Sequence, residues 1–204
     1  MLPSGRFWNE NPESKAWGND LNGIHALGGG RFVAVGNGGI VLKKSPGVAL
    51  PEMIPSGTTN NLRSVFFSDS LQGWAVGENG TILFSINGGQ NWLPQNSCTV
   101  SYLNKVFFIN NLVGWAAGEN GVDLKTINGG QSWQLSSILP LITFFSIHFI
   151  NEQVGLLVGM HGHVRKTTNG GHSWTSQSTL GGCNWLQDVQ LLNNQNYFAV
   201  GMNS

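Results

Sequence analysis

The chain has 204 residues, with 10 Lys and Arg against 10 Asp and Glu, a formal net charge of zero, 29 Gly and 8 Trp. Only 10% of its residues are charged, against about 25% in a typical soluble domain, so it lacks the basic field that nucleic acids and anionic membranes require. No apolar run reaches the roughly 18 residues of a membrane-spanning helix, and the start "MLPSGRFWNENP" shows no secretory signal.

In chain order, the first piece is "SGRFW" (4–8), which resembles the end of a phrase that the chain repeats from residue 21 onward. The Gly residues that close each short apolar run are Gly36, Gly77, Gly118, Gly159 and Gly201, at intervals of 41, 41, 41 and 42. Trp92, Trp133 and Trp174 keep the same interval, as do Leu21, Leu62, Leu103 and Phe144 before Leu186 takes up the extra residue. Three columns with one period define an internal repeat.

Within a unit the elements come in a fixed order. An apolar strand such as "LRSVFF" (62–67) or "LNKVFF" (103–108) leads through a polar loop to "GWAVG" or "GWAAG". Next comes "ENG", whose Asn79-Gly80 and Asn120-Gly121 dipeptides favour a type I′ hairpin turn. A third strand, "TILFS" or "VDLKT", runs into a turn phrase, "INGGQNW" in the first of them, and a fourth strand carrying the Trp. Four short antiparallel strands per roughly 40–45 residues are the pattern of β-propeller blades.

The fold expected is therefore an all-β propeller of about five 41-residue, four-stranded blades forming a single domain over residues 1–204. Residues 1–20 belong to the end of a preceding blade, and units begin near 21, 62, 103, 144 and 186, the last incomplete. Either the ends meet in a closed five-bladed ring, with Met1–Trp8 as the missing outer strands, or the chain is a segment of a larger propeller. In the second case a signal peptide could lie upstream.

The turn phrase reads Ser85, Asn87, Gly89 and Trp92 in one unit, then Thr126, Asn128, Gly130 and Trp133, then Thr167, Asn169, Gly171 and Trp174. Each place has a physical use. The Asn side chain closes a tight turn by accepting backbone N–H bonds, Gly supplies positive φ, the hydroxyl braces the loop, and Trp wedges between blades. The first unit departs from it: "SPGVALPEM" (45–53) has neither the Asn-Gly-Gly nor the Trp.

This pattern resembles the Asp-box, or bacterial neuraminidase repeat, with Asn in the usual Asp place. Together with "GWAVGENGTIL" it resembles the photosystem II stability and assembly factor propellers, which have many relatives in non-photosynthetic bacteria. The resemblance implies an exported, periplasmic, lumenal or secreted protein that binds a protein partner without catalysis. If the host is photosynthetic, it implies a photosystem II assembly intermediate as the partner.

Strand alternation divides the loops between two faces. The turn phrases share one face with the first-to-second loops. The hairpin tips and blade linkers share the other, which varies between units and is the expected binding surface. On it fall the candidate partner-binding residues Asn37, Glu78, Asn79, Glu119, Asn120 and His161 at the tips, Tyr102 in a linker, and Asn22, Arg63 and Asn104 near the central mouth. The linkers around 138–141 and 179–184, and Asn203, complete it.

Other chemistry finds little support in the residues. Cys98 and Cys183 form neither a metal motif nor a disulfide framework. His161 and His163 alternate on a strand and so face opposite ways, which argues against a metal site, and no cofactor is expected. His25 and His148 share a first-strand column with Phe66 and Phe107, which points to partly buried histidines.

A sialidase-like glycosidase needs clustered Arg and a Tyr nucleophile. The four Arg (Arg6, Arg31, Arg63, Arg165) and two Tyr (Tyr102, Tyr197) are dispersed, and Asp20, Asp69, Asp123 and Asp188 form no obvious carboxylate pair. A non-catalytic binding scaffold is therefore expected. The alternatives are a glycan-binding or glycan-cleaving protein and a structural segment of a large secreted adhesin.

Overall fold

The computed structural model describes residues 20–136, 141–177 and 185–202. Expectations placed on Met1–Trp8, Arg6, Cys183, Asn203 and the linker stretches 138–140 and 179–184 fall outside them. Each repeat unit folds as one antiparallel meander. Strands β1 (Leu21–Gly28), β2 (Arg31–Gly36), β3 (Val41–Lys44) and β4 (Glu52–Ile54) pair in sequence order. So do β5 (Leu62–Phe67), β6 (Gly73–Gly77), β7 (Ile82–Ser85) and β8 (Leu93–Gln95). The third unit contains β9 (Leu103–Phe108), β10 (Gly114–Gly118), β11 (Asp123–Thr126) and β12 (Gln134–Leu135). The fourth contains β13 (Phe144–Phe149), β14 (Gly155–Gly159), β15 (Val164–Thr167) and β16 (Thr175–Ser176). A final hairpin, β17 (Trp185–Leu191) and β18 (Tyr197–Met202), begins a fifth. The chain is thus all-β, with propeller blades as its units.

Two details differ from the sequence expectation. The fourth strand starts after the Trp, at Leu93, Gln134 and Thr175, so the Trp belongs to the turn. The first unit forms its fourth strand, Glu52–Ile54, without the Asn-Gly-Gly phrase, pairing Leu42 with Met53 in ordinary antiparallel register.

Blades pack through a device repeated down the chain. Trp74 of β6 stacks on Phe108 of the next blade at 3.5 Å between ring centroids, and Trp133 meets the same Phe108 edge-on at 5.7 Å. One blade later, Trp115 stacks on Phe149 at 3.6 Å and Trp174 meets it edge-on at 5.9 Å. Each indole also finds a partner for its N–H across the interface. Trp74 Nε1 donates to Gly129 O (3.2 Å) and Trp115 Nε1 to Gly170 O (3.1 Å). Burying each such ring contributes roughly 1.5–3 kcal/mol, so these wedges carry much of the core. The first Gly of "GWAVG" makes room for the blade's own Phe: a Cβ on Gly73 would sit 2.4 Å from Phe67.

The turn phrases are hydrogen-bonded in the same way three times. Gly130 N donates to Thr126 Oγ1 (2.9 Å), Ser132 N donates to Asn128 Oδ1 (3.0 Å), and Thr126 Oγ1 donates to Asn128 Oδ1 (2.9 Å). Ser85, Asn87 and Gly89 repeat the arrangement, as do Thr167, Asn169 and Gly171. Gly129 N then donates to Leu112 O (2.9 Å), which ties the turn to the first-to-second loop on the same face. Trp92 Nε1 returns to Gly89 O (3.1 Å), Trp133 Nε1 donates to Gln95 Oε1 (3.1 Å), and Trp174 Nε1 donates to Asp123 Oδ2 (2.7 Å).

The hairpin tips adopt the expected turn. Asn79 (φ 54°) and Gly80 (φ 65°) are both left-handed, and Thr81 N closes the turn onto Glu78 O at 3.0 Å. Asn120-Gly121 and His161-Gly162 do the same. His161 therefore lies within a tight turn that His163 closes ahead of β15, and the two do not alternate along a strand; their rings lie 6.4 Å apart.

Candidate functional site

The first strands of all five units line a central cavity of about 560 Å³. One irregularity, repeated in every unit, shapes its mouth. In each blade the register of the first strand against the second slips by one residue at the same place. The slip lies between Leu21 and Gly23, Leu62 and Ser64, Leu103 and Lys105, Phe144 and Ser146, and Leu186 and Asp188. The bulged residues are Asn22, Arg63, Asn104, Phe145 and Gln187, and all five line the cavity. A β-bulge releases one residue from the ladder and re-aims its side chain. Five bulges in register thus present five different side chains at one opening.

The same geometry accounts for the Gly column. A Cβ on Gly77 would stand 2.0 Å from Asn61 O, and one on Gly118 would stand 1.9 Å from Tyr102 O. Gly36, Gly159 and Gly201 meet the carbonyls of Asp20, Thr143 and Trp185 equally closely.

The residues singled out from sequence divide into two groups. Several are tied into the framework. Asn22 Nδ2 donates to Asn37 Oδ1 and to Leu62 O of the next blade, both at 2.9 Å, and Asn104 Nδ2 donates to Phe144 O at 2.9 Å. These amides staple neighbouring first strands and leave their oxygens as acceptors. Asn79 Nδ2 donates to Asn60 Oδ1 (3.1 Å) and Asn120 Nδ2 to Ser101 Oγ (3.3 Å), which bind tips to linkers. Glu78 accepts from Asn61 Nδ2 (3.0 Å) and from Arg63 Nη2 (3.5 Å).

The second group is presented outward. Arg63 keeps a partly exposed guanidinium, with its carbon 5.5 Å from the centre of the Tyr102 ring. Glu119 and His161 sit on separate tips further round the face and are not brought together with Arg63. Val100, in the linker beside Tyr102, is among the most exposed apolar side chains.

The cavity lining also holds a polar cluster absent from the sequence reasoning. Asp188 Oδ1 accepts from Ser146 Oγ (2.6 Å) and from Lys105 Nζ (3.0 Å), so three different blades meet at one carboxylate. Burial alone would raise the Asp188 carboxyl. The Ser146 hydrogen bond and the Lys105 charge outweigh it and hold the group below the usual carboxylate range. Around it runs a chain of rings, His25–Phe66–Phe107–His148, with centroids 5.1, 5.2 and 4.9 Å apart. Burial pushes both His25 and His148 below the ordinary histidine value. At His148 the attraction of Asp188 opposes the shift and Lys105 adds to it. Extending the column of Asn22, Arg63 and Asn104 by the repeat would have named Phe145 and Gln187. The Asp188 cluster had no such signal, because Gly23, Ser64, Lys105, Ser146 and Asp188 share a column of mixed chemistry.

Among the described residues no group of three or more His, Cys, Asp or Glu is placed to hold a metal ion. Among the same residues no helix is long and apolar enough to cross a membrane.

Comparison with solved structures supports the architecture. A YCF48 bound to a D1 peptide superimposes with a TM-score of 0.70 at 14% identity, covering 90% of this chain and 60% of that one. YCF48 from Cyanidioschyzon merolae gives 0.68 at 15% identity, covering 88% of this chain and 66% of that one. An ancestral GH74 enzyme gives 0.68 at 17% identity, covering 90% of this chain and 27% of that one. The chain thus spans about 60–66% of the length of the YCF48 structures it matches. No curated protein sequence matches it. The family model described as photosynthesis system II assembly factor YCF48 matches residues 50–201, and the chain belongs to that family.

Proposed function

We propose that this chain is a non-catalytic propeller that holds an extended segment of a protein partner across its linker face, over the mouth of the central cavity. The observation that carries the reading is the column of five bulges. The blade framework recurs at one period, while the bulged positions are Asn, Arg, Asn, Phe and Gln. A recurring frame that presents different side chains at one opening is how a recognition surface is grafted onto a fold. The mixture suits a polypeptide: amide oxygens for backbone N–H groups, a guanidinium for a carboxylate, and Phe145 and Tyr102 for apolar side chains. The D1 peptide held by a YCF48 is a precedent within the family. We extend this to a photosystem II assembly role and an extracytoplasmic location; fractionating host cells and finding the chain only in the cytoplasm would defeat the location.

Hydrolysis of a glycan is disfavoured despite the likeness to a GH74 enzyme. The carboxylate lining the cavity, Asp188, is engaged by Lys105 and Ser146, and among the described residues no second carboxylate lines the cavity with it. Arg63 is the arginine at the mouth; Arg31 instead binds the carbonyls of Leu27 and Gly28 in its own hairpin.

The test is calorimetric titration of the D1 peptide, and of peptides selected on the immobilised protein, into wild type, Arg63→Ala and Gln187→Ala. Binding weakened at least tenfold by either substitution, with thermal stability retained, supports the reading. Failure to select any peptide, or binding indifferent to both changes, would defeat it.

A further inference from the structure

Three residues beyond each bulge, the first strands contribute a second column to the cavity lining: His25, Phe66, Phe107, His148 and Gln190. Four of the five are rings, and each meets the ring of the next blade, tilted or edge-on, with centroids 5.1, 5.2 and 4.9 Å apart. All four are half-buried, so the arc they form is only partly covered by the blades themselves. The arc is also uncharged near neutral pH. His148 Nδ1 accepts the Leu191 N–H (3.3 Å), so the neutral ring carries its proton on Nε2. Around His148 stand Asp188 of β17 and Lys105 and Phe107 of β9, with Leu156 of β14 directly opposite it. His25 faces Phe66 and Phe67 of β5 and pairs with Val33 of β2. Arg63 lines the central cavity with it, and Asp69 lines a smaller cavity of about 200 Å³ on its other side. Burial holds both imidazoles below the ordinary histidine value. The charged groups of the central cavity already have ionic partners: Arg63 has Glu78, and Lys105 and Asp188 have each other.

We propose, resting on the peptide-binding role above, that the arc His25–Phe66–Phe107–His148 is a side-chain pocket that takes one uncharged aromatic side chain from the segment held over the mouth. Recognition pockets combine an apolar wall with a few placed polar groups, and the bulge column and the ring arc supply these two parts. The cavity, about 560 Å³, lies within the roughly 300–1,000 Å³ of such pockets. A charged side chain would lose hydration against the rings without gaining a free counter-ion. An aromatic ring would instead extend the series of tilted ring contacts. Covering a neutral imidazole also makes its protonation harder, so binding expels protons and weakens as pH falls.

The experiment follows the imidazole ring protons of the full chain by NMR while N-acetyl-phenylalaninamide, N-acetyl-leucinamide or N-acetyl-aspartate amide is added. The phenylalanine probe should move His25 and His148 and leave His161, His163 and His172, which lie at a hairpin tip and a turn phrase, where they were. It should bind at least about threefold tighter than the leucine probe, because ring pairs add to area burial. The aspartate probe should leave both cavity histidines unmoved. Affinity for the phenylalanine probe should fall from about pH 7.5 to 5.5 in wild type and stay level in His25→Phe/His148→Phe. Phe107→Gln, which copies Gln190, should weaken the probe; the wild-type titration decides the matter even if that variant folds poorly. Shifts confined to the tip and turn histidines, equal affinity for leucine and phenylalanine probes, or a preference for aspartate would each overturn the pocket. Selected peptides that bind through Arg63 or Gln187, while neither cavity histidine responds to the phenylalanine probe, would overturn the pocket and leave the peptide-binding role standing. Failure to select any peptide would remove both.

Discussion

Gly77 lies against the backbone carbonyl of Asn61 so closely that a Cβ would stand 2.0 Å from the oxygen. That approach lets the first strand bulge at Arg63 and turns its side chain toward the cavity mouth. One glycine per blade therefore links the repeat seen in the sequence to the surface where the blades differ.

Replacing Gly77 with Ala should accordingly cost about 2–3 kcal/mol, because backbone carbonyl and strand must both move. Its φ of −172° is ordinary extended backbone, so the cost is a clash and not a torsional strain. Urea unfolding of Gly77→Ala checks this; a midpoint unchanged from wild type would show that the bulge is not held by the close approach.

Thr126 tests the turn phrase. Its buried hydroxyl accepts from Gly130 N and Asn128 N and donates to Asn128 Oδ1. Thr126→Val keeps the volume but strands a buried N–H, at a cost of about 1–3 kcal/mol. Thr126→Ser should recover most of it, and thermal melts of the pair decide. A loss from Thr126→Ser as large as that from Thr126→Val would show that keeping the hydroxyl does not keep the turn.

Trp174 and the buried Asp123 form a partly buried pair where other blades have Val41, Ile82 and Val164 in place of the Asp. Asp123→Val leaves the indole N–H without its acceptor, and Trp174→Phe leaves the carboxylate without this donor. The double variant should therefore be more stable than the sum of the two losses predicts, with a coupling of about 1 kcal/mol or more. Strict additivity in a double-mutant cycle would contradict the pairing.

Acid should loosen the cavity in two stages. His25 and His148 titrate below their unfolded value, so between the folded value and about 6.5 the unfolded chain binds more protons and stability falls as pH falls. Asp188 is depressed too. Its contribution is full above its unfolded value, near 3.9, and is lost as pH drops through the folded one. Melting temperature should therefore decline from pH 7.5 to 5.5, with a shallower slope in His25→Phe/His148→Phe, which copies Phe66 and Phe107. A flat profile in wild type, or a slope unaltered in the variant, would exclude the histidines as its source.

The blade architecture was legible because it is written in backbone demands that recur. Asn79-Gly80 must be left-handed, Gly118 must admit the carbonyl of Tyr102, and Trp133 must wedge against Phe108. The Gly column recurs in all five units, and the Trp wedge recurs at the same interval in three of them. The cavity was legible only in part. Asn22, Arg63 and Asn104 could be placed near its mouth, but a bulge leaves no mark in hydrophobic periodicity, so Phe145 and Gln187 read as ordinary strand residues. Neither could the framework roles of Asn22 and Asn104 be foreseen, since an amide's partner depends on how close the neighbouring blade lies. The Lys105–Asp188–Ser146 cluster joins three blades, and no local pattern signals that.

Hydrogen exchange with and without a bound peptide decides whether the partner sits over the cavity mouth. A peptide selected on the protein should slow exchange at the starts of the first strands and their linkers, around residues 61–65, 101–105 and 143–147. The turns at 85–92, 126–133 and 167–174 on the opposite face should be unaffected. Protection confined to those turns would place the partner on the opposite face and contradict binding at the column of bulges.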